Sequence, residues 1–349
     1  MAVYYLCPES NNPTGGIRVI YRHVDILNEH GIPAFVLHQK RGFRCTWFAN
    51  DTKVAYTRFP LRSFISRARQ KIHKHLGAGN SIDIPIIGGA AATIGSGDVL
   101  VMTETQGPDL ASVGKGIPKV ILNQNGFLTF KGYSFARDSL KTPYLDEDVR
   151  AVFVNSEHCE EYVRYAFPDA NTLRFFLSID PGQFYYQEKK KKQICFSRIK
   201  SKADAMQVIN MLKFRGKLAD FEVVPFINIP QEKVAELMRE SLIFLSFGYH
   251  EGFGLPAAEA MACGCIVIGY HGWGGKEFFR PEFSFPIDDG DIVGYVNHIE
   301  QVIDAYNADE GYFSEQRRRA ADFIATQYSP AREEQILVKA WQQILSNSP

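Results

Sequence analysis

Two glutamates, Glu251 and Glu259, stand with seven residues between them in the run from Ser246 to Gly275, SFGYHEGFGLPAAEAMACGCIVIGYHGWGG. The residues around them are of the types that hold an anion. Gly252 and Gly254 allow the backbone to approach a ligand in conformations that a side chain would forbid. Pro256 suits the first position of a helix, where a missing N–H costs nothing, and Gly264 suits its end. A helix beginning there turns its unbonded N–H groups and the positive end of its dipole toward a phosphate. The preceding run, Leu242 to Ser246, is short and apolar, the pattern of a buried strand. With Glu251 in the loop and Glu259 in the first turn of the helix, both carboxylates are expected to face one crevice. Taken singly, Glu259 reads equally well as a stabiliser of the helix dipole.

The elements that must position this stretch are those of an α/β protein. Val3 to Cys7 reads as a strand, and the helix after it carries Ile17, Ile20, Val24 and Leu27 on one face. Gly31 closes that helix, and Pro33 to His38 is the next strand. A strand, helix, strand unit of this kind builds a parallel sheet. Gly15 and Gly16 precede the helix at the carboxyl end of a strand, where open α/β sheets bind ligands; a tight turn is the plainer account. No GxGxxG follows the strand, which argues against a dinucleotide-dependent oxidoreductase. Asp98 to Met102 and Lys119 to Asn123 read as two more buried strands, ending in Thr103, Glu104 and Thr105 and in Asn123, Gln124, Asn125 and Gly126. Those ends suit either ligand contacts or turn and cap chemistry. Ala151 to Glu157 is a strand leading into a Ser-capped helix. Gln193 to Arg198 is a strand with Arg198, Lys200 and Lys202 just past it, cations that would otherwise be ordinary surface charges. Asp288, Asp289 and Asp291 offer an acidic cluster, but Asp291 precedes a helix bearing Ile292, Val296, Ile299 and Ile303, so an N-cap explains it. Ser329 and Pro330 open a last helix with an apolar stripe of Ile336, Leu337, Ala340, Trp341, Ile344 and Leu345.

A chain of 349 residues with 45% hydrophobic content can fill two cores. Its formal charge of zero argues against a general nucleic-acid binder. Six scattered cysteines in a chain that can form a sizeable core are expected to be reduced and structural. No leader-like or membrane-spanning run is evident, so a cytoplasmic protein is expected. One local patch departs from neutrality. Between Asp51 and Asp83 there is no acid, while Lys53, Arg58, Arg62, Arg67, Arg69, Lys71 and Lys74 all fall there. Phe64, Ile65, Ala68, Ile72 and Leu76 would make one helical stripe, either of a domain helix with a solvated basic face or of a surface for anionic lipid or an anionic acceptor.

The stretch EGFGLPAAEAMACG resembles the Glu, seven residues, Glu signature of the retaining glycosyltransferases of family four. That resemblance implies the GT-B fold, with two Rossmann-like domains facing across a cleft and a C-terminal helix crossing back to the first. The expected domains are residues 1–185 with the helix 330–349, on the acceptor side, and residues 186–329, which bind the nucleotide sugar. Ser178 to Phe184 is similar to the family's interdomain stretch, and Lys189 to Lys192 is expected to be a solvated linker or strand-edge run. By the same resemblance Glu251 contacts hydroxyls of the donor sugar and Glu259 accepts from the ribose, whose diol offers two donors to one carboxylate. The backbone of Gly252, Phe253, Gly254 and Leu255 borders the sugar and diphosphate. Arg198 with Lys200 or Lys202 binds the diphosphate, a fixed fork beside a mobile point charge. Glu251, Arg198 and Lys202 are the expected catalytic group. Gly15 and Gly16 resemble the family's first-domain glycine loop, near the diphosphate and the acceptor. Many members carry a His after the matching first-domain strand; this chain has Asn123, Gln124 and Asn125 there.

The implied reaction is retaining transfer of a sugar from a nucleotide diphosphate sugar to a glycan, lipid-linked or other hydroxyl, in cell-surface polysaccharide or glycoconjugate synthesis. Neither a metal nor a further cofactor is required, because cationic side chains and a helix N-terminus meet the growing charge on the diphosphate. The departing phosphate oxygen can take the acceptor's proton. A peripheral contact with the inner membrane face through Arg58 to Lys74 is one reading of the basic patch. The alternatives are a GT-B epimerase or hydrolase acting on the nucleotide sugar alone, and a non-catalytic subunit that binds it.

Overall fold

The computed structural model describes residues 1–57, 82–84, 92–135, 142–198 and 200–346. The basic segment from Arg58 to Lys74 lies outside the described residues. The chain divides into two compact units. One comprises Met1–Asn155, Cys159–Phe175 and Ile336–Pro349; the other comprises Ser156–His158 and Phe176–Gln335.

The first unit runs through β1 (Val3–Leu6), α1 (Gly15–Glu29), β2 (Ala34–His38), β3 (Val54–Tyr56), β4 (Ile82–Ile84), β5 (Ala92–Ile94), β6 (Val99–Thr103), β7 (Lys119–Asn123), β8 (Val149–Val154), α2 (Glu157–Ala166) and β9 (Thr172–Arg174). Its main sheet has the order β3-β2-β1-β6-β7-β8-β9, and the strands pair in parallel. β4 and β5 form a separate antiparallel pair. Strands covered on both faces read as near-continuous apolar runs, which is why VYYL, VLVMT and KVILN are buried along their whole length. Tyr4, Leu6, Leu37, Leu100, Met102, Ile121, Val152 and Val154 share one core with Cys159 and Val163. Ile17, Ile20, Val24 and Leu27 of α1 are buried as their spacing requires. Gly15 and Gly16 are not a turn ahead of that helix but its first two residues, with Thr14 at the N-cap.

The second unit runs through β10 (Lys191–Ser197), α3 (Lys202–Phe214), β11 (Glu222–Phe226), α4 (Gln231–Glu240), β12 (Ser241–Ser246), α5 (Leu255–Ala262), β13 (Ile266–Gly269), β14 (Phe285–Pro286), α6 (Ile292–Ala308), α7 (Ser314–Gln327) and the start of α8 (Pro330–Ser346). Its parallel sheet has the order β11-β10-β12-β13-β14. Ile194, Phe196, Ile243, Leu245, Ile266 and Ile268 from the strands pack with Val208 and Leu212 of α3 and with Val296, Ile299 and Ile303 of α6. Asp291 does cap α6, its carboxylate accepting from the N–H of Gly294 at 2.8 Å. The lysine run is less solvated than its composition suggests. Lys190 donates to the carbonyls of Met238 at 3.1 Å, Arg239 at 2.8 Å and Cys263 at 2.7 Å, closing the ends of α4 and α5, where carbonyls lack partners.

From Ile336 onward α8 belongs to the first unit. There Trp341 is fully buried, its indole donating to the Tyr5 hydroxyl at 3.0 Å and meeting Phe153 edge-on at 5.5 Å. The six cysteines are free and buried. Among the described residues no helix is long and apolar enough to cross a membrane.

Candidate functional site

In an open α/β sheet the strand order reverses at one point, and ligands gather outside the strand carboxyl ends there. In the second unit that point lies between β10 and β12. Arg198 follows β10 directly; it is exposed, and its N–H is anchored on the carbonyl of Phe226 at 2.9 Å. Lys200 lies two residues on, and its ammonium pairs with the Glu251 carboxylate, beyond the end of β12, at 2.7 Å. The same ammonium lies 3.4 Å from the carbonyl of His250. The two side chains are 40% and 25% exposed, so the pair is open to solvent. Lys202 is exposed and opens α3.

Glu251 is held by its own backbone rather than by its side chain. Its N–H donates to Gly272 at 2.9 Å and its carbonyl accepts from Gly274 at 3.2 Å, a bridge between the two glycine loops. A Cβ on Gly274 would stand 2.1 Å from the carbonyl oxygen of Gly252, so only glycine lets the loops run this close. That carbonyl also accepts from the Ser156 hydroxyl at 2.6 Å. Gly254, at φ 92, is the N-cap of α5, so the helix starts at Leu255 and Pro256 takes its second position rather than its first. Glu259 consequently lies in the second turn. It is 7% exposed in a helix otherwise buried through alanine and methionine. A dipole role belongs to the first turn, so the helix-stabiliser account of Glu259 loses ground. The ring of Phe253 is turned into packing with Phe278 and Tyr328, both at 5.1 Å, which leaves its backbone alone to border a ligand.

Two features of this region carry no advance signal in the sequence. Trp273 is a bulky residue in the left-handed region, at φ 70, and 42% exposed. Its N–H donates to His271 Nδ1 at 2.9 Å, Lys276 lies 5.6 Å from the ring centre, and the indole hydrogen bonds the Asp289 carboxylate. Burial holds the His271 pKa below, and the Asp289 pKa above, the ordinary range. Glu277 is buried and accepts from the Tyr328 hydroxyl and the Glu157 N–H, each at 2.7 Å, a structural junction behind the loops. A glutamate two residues past a glycine pair does not announce these partners. Among the described residues no cluster of His, Cys, Asp and Glu has the geometry of a metal site.

Gly15 and Gly16 belong to the first unit, whose strand order reverses between β1 and β6. Gly16 is in close contact with Gln124, whose amide nitrogen would lie 3.1 Å from a Cβ there and donates to the Gly16 carbonyl at 3.3 Å. Just past β6, Glu104 is 3% exposed and accepts from the backbone N–H groups of Gln124 and Asn125. Burial pushes its carboxyl up to about 7. Asn123 donates to the hydroxyls of Thr129 at 2.7 Å and Tyr144 at 3.0 Å, so it serves the interior.

The family described as glycosyl transferases group 1 matches residues 198–320. An alpha-1,6-glucosyltransferase of Actinobacillus pleuropneumoniae is 34% identical over 198 residues, 53% of this chain and 55% of that protein. The chain thus spans about half the length of this curated relative. Among solved structures, sucrose-phosphate synthase from Thermosynechococcus elongatus superposes with a TM-score of 0.66 at 14% identity, covering 100% of both chains. The HepE protein of Anabaena, in complex with UDP and glucose, superposes with a TM-score of 0.62 at 12% identity, covering 98% of this chain and 100% of that one. Arg198, Glu251 and Glu259 all lie inside the segment that matches the glycosyl transferases of group 1, and the two parallel α/β sheets have the GT-B fold of these solved structures.

Proposed function

We propose that the protein transfers a sugar from a nucleoside diphosphate sugar to an acceptor hydroxyl with retention at the anomeric carbon. The observation that carries this reading is the Lys200–Glu251 pair at the switch point of the second sheet, with Arg198 on the same strand end. An exposed ion pair contributes only about 0.2–1 kcal/mol, so a diphosphate can draw the Lys200 ammonium away at little cost. Glu251 is then released to accept from hydroxyls of the sugar. Arg198 supplies a planar fork of donors for the phosphate oxygens, and the start of α5 adds N–H groups beside Gly254. As the glycosidic bond breaks, charge grows on the leaving diphosphate, and these groups stabilise it more than the ground state. The departing oxygen takes the acceptor's proton. Glu259, buried one turn inside α5, is assigned to the ribose. Gly15 and Gly16, at the switch point of the first sheet, are assigned to ligand contact. UDP-glucose is the donor to try first, since a structural neighbour holds UDP and glucose. The acceptor class we favour is a glycan or lipid-linked sugar of a surface polysaccharide.

Incubation of the protein with UDP-glucose, with and without a panel of hexosides, tests this reading. Turnover that requires a hexoside supports it. Turnover without one indicates an epimerase or hydrolase, and saturable UDP binding with no turnover on any donor indicates a binding subunit.

A further inference from the structure

Glu104 is a buried carboxyl that the donor chemistry does not use, and its place in the fold is specific. It is the first residue past β6, beside the switch point of the first sheet, and 3% exposed. Its carboxyl accepts the N–H groups of Gln124 and Asn125 at the carboxyl end of the adjacent β7, yet Oε2 has no partner. The same strand ends carry two further buried oxygens without a donor, Gln106 Oε1 and Asn123 Oδ1. A region so rich in acceptors is short of hydrogen, and a proton on Glu104 would supply one. Burial favours that proton, opposed by the hydrogen bonds to the carboxylate and by Lys131; Tyr144 is the titratable neighbour.

The grip of Glu104 extends beyond its own loop. Gln124, whose N–H it holds, donates from its side chain to the Gly16 carbonyl at 3.3 Å, while its own carbonyl accepts from Asn155 Nδ2 at 2.9 Å. Gly15 and Gly16 are the first residues of α1 and follow β1 at the same switch point. We propose that protonated Glu104 is a positioning residue for transfer, fixing the Gln124–Asn125 backbone and, through the Gln124 side chain, the Gly15–Gly16 start of α1. This rests on the transfer reading for its consequence in rate, but not for the hold itself.

The two parts are tested on the full chain with Glu104→Gln, which copies the protonated carboxyl, and Glu104→Ala, which removes it. Hydrogen exchange reads the hold without any reaction. Glu104→Ala should lose protection both at residues 124–126 and at residues 16–18, and Glu104→Gln should keep it. In melting experiments the wild type and Glu104→Gln should behave alike near pH 5, and the wild type should fall behind by about pH 8, as an acid with a raised folded pKa requires. With UDP-glucose and a hexoside, wild-type kcat should fall about tenfold above pH 7, Glu104→Gln should not, and Glu104→Ala should lose about tenfold in kcat with UDP affinity unchanged. Loss of protection confined to residues 124–126 overturns the hold through Gln124. A Glu104→Gln protein that shares the wild-type pH profile, or is as slow as Glu104→Ala, overturns the role of the proton. If Glu104→Ala does not fold, exchange and kinetics of Glu104→Gln against the wild type still decide. A wild type that binds UDP, shows the expected exchange and melting, and transfers nothing sinks the transfer reading and the kinetic role together, leaving the hold intact.

Discussion

The two parallel sheets reverse their strand order in the same manner but place opposite chemistry there. In the second unit the charges stand in the open, with Arg198 exposed and Lys200 paired to a Glu251 carboxylate that is 25% exposed. In the first unit the carboxyl is 3% exposed, bonded to backbone N–H groups and pushed toward its neutral form. The difference separates binding from holding. An exposed pair is weak because water competes with it, and that weakness lets an anionic ligand rearrange it. A buried carboxyl bonded to two N–H groups fixes a loop and is expensive to disturb. One site is therefore suited to exchange partners in each turnover, and the other to keep the same partners throughout.

The contrast breaks most sharply at Arg198. Arg198→Ala is expected to lower kcat by about 10² to 10³, the usual effect of removing one donor from a growing charge. A rise in KM alone would reduce Arg198 to a ground-state contact, so steady-state kinetics decide. Next in size is the stability linked to Glu104, whose carboxyl lies at about 7 against an ordinary 4.5. A folded acid with a raised pKa contributes its stability below the unfolded value and loses it as pH rises through the folded value. The wild type should therefore lose up to about 3 kcal/mol relative to Glu104→Gln as pH rises from about 4.5 to 7, read from denaturant midpoints. The smallest effect separates the two lysines. Lys200→Ala should weaken UDP binding about tenfold and Lys202→Ala less than about twofold, because only Lys200 reaches across to Glu251. Equal losses in a titration would remove the special place of the Lys200–Glu251 pair.

Much of this was legible in the chain, and the parts that were not share a cause. Buried parallel strands announce themselves as apolar runs, so Leu242 to Ser246 and Val99 to Thr103 needed no partner to be recognised. The carboxylates, glycines and helix of the second site lie within one local stretch, so their types and spacing can be read directly, while the roles given to Glu251 and Glu259 are what the resemblance to family four implies. Contacts between distant strand ends leave no such trace. Nothing near Lys200 marks it over Lys202, and nothing near Glu104 announces its bonds to Gln124 and Asn125. Glycine leaves the start of a helix ambiguous in the sequence. With the left-handed Gly254 as its N-cap, α5 starts one residue earlier than Pro256, which moves Glu259 into the second turn, whereas Gly15 and Gly16 lie inside α1. Lys190 looked solvated because its neighbours are lysines, yet its ammonium finds three carbonyls in the folded chain.

Calorimetry with bare UDP on wild type, Glu259→Gln and Glu251→Gln tests the donor-site assignment most directly. A charge-assisted hydrogen bond contributes about 1.5–3 kcal/mol, so Glu259→Gln should weaken UDP about ten- to a hundredfold. Glu251→Gln, which removes a contact assigned to the sugar, should leave UDP affinity within about twofold while kcat with donor and acceptor falls at least tenfold. Equal weakening of UDP by both substitutions, or full activity in both folded variants, would contradict the assignment of this switch point as the site of a nucleoside diphosphate sugar.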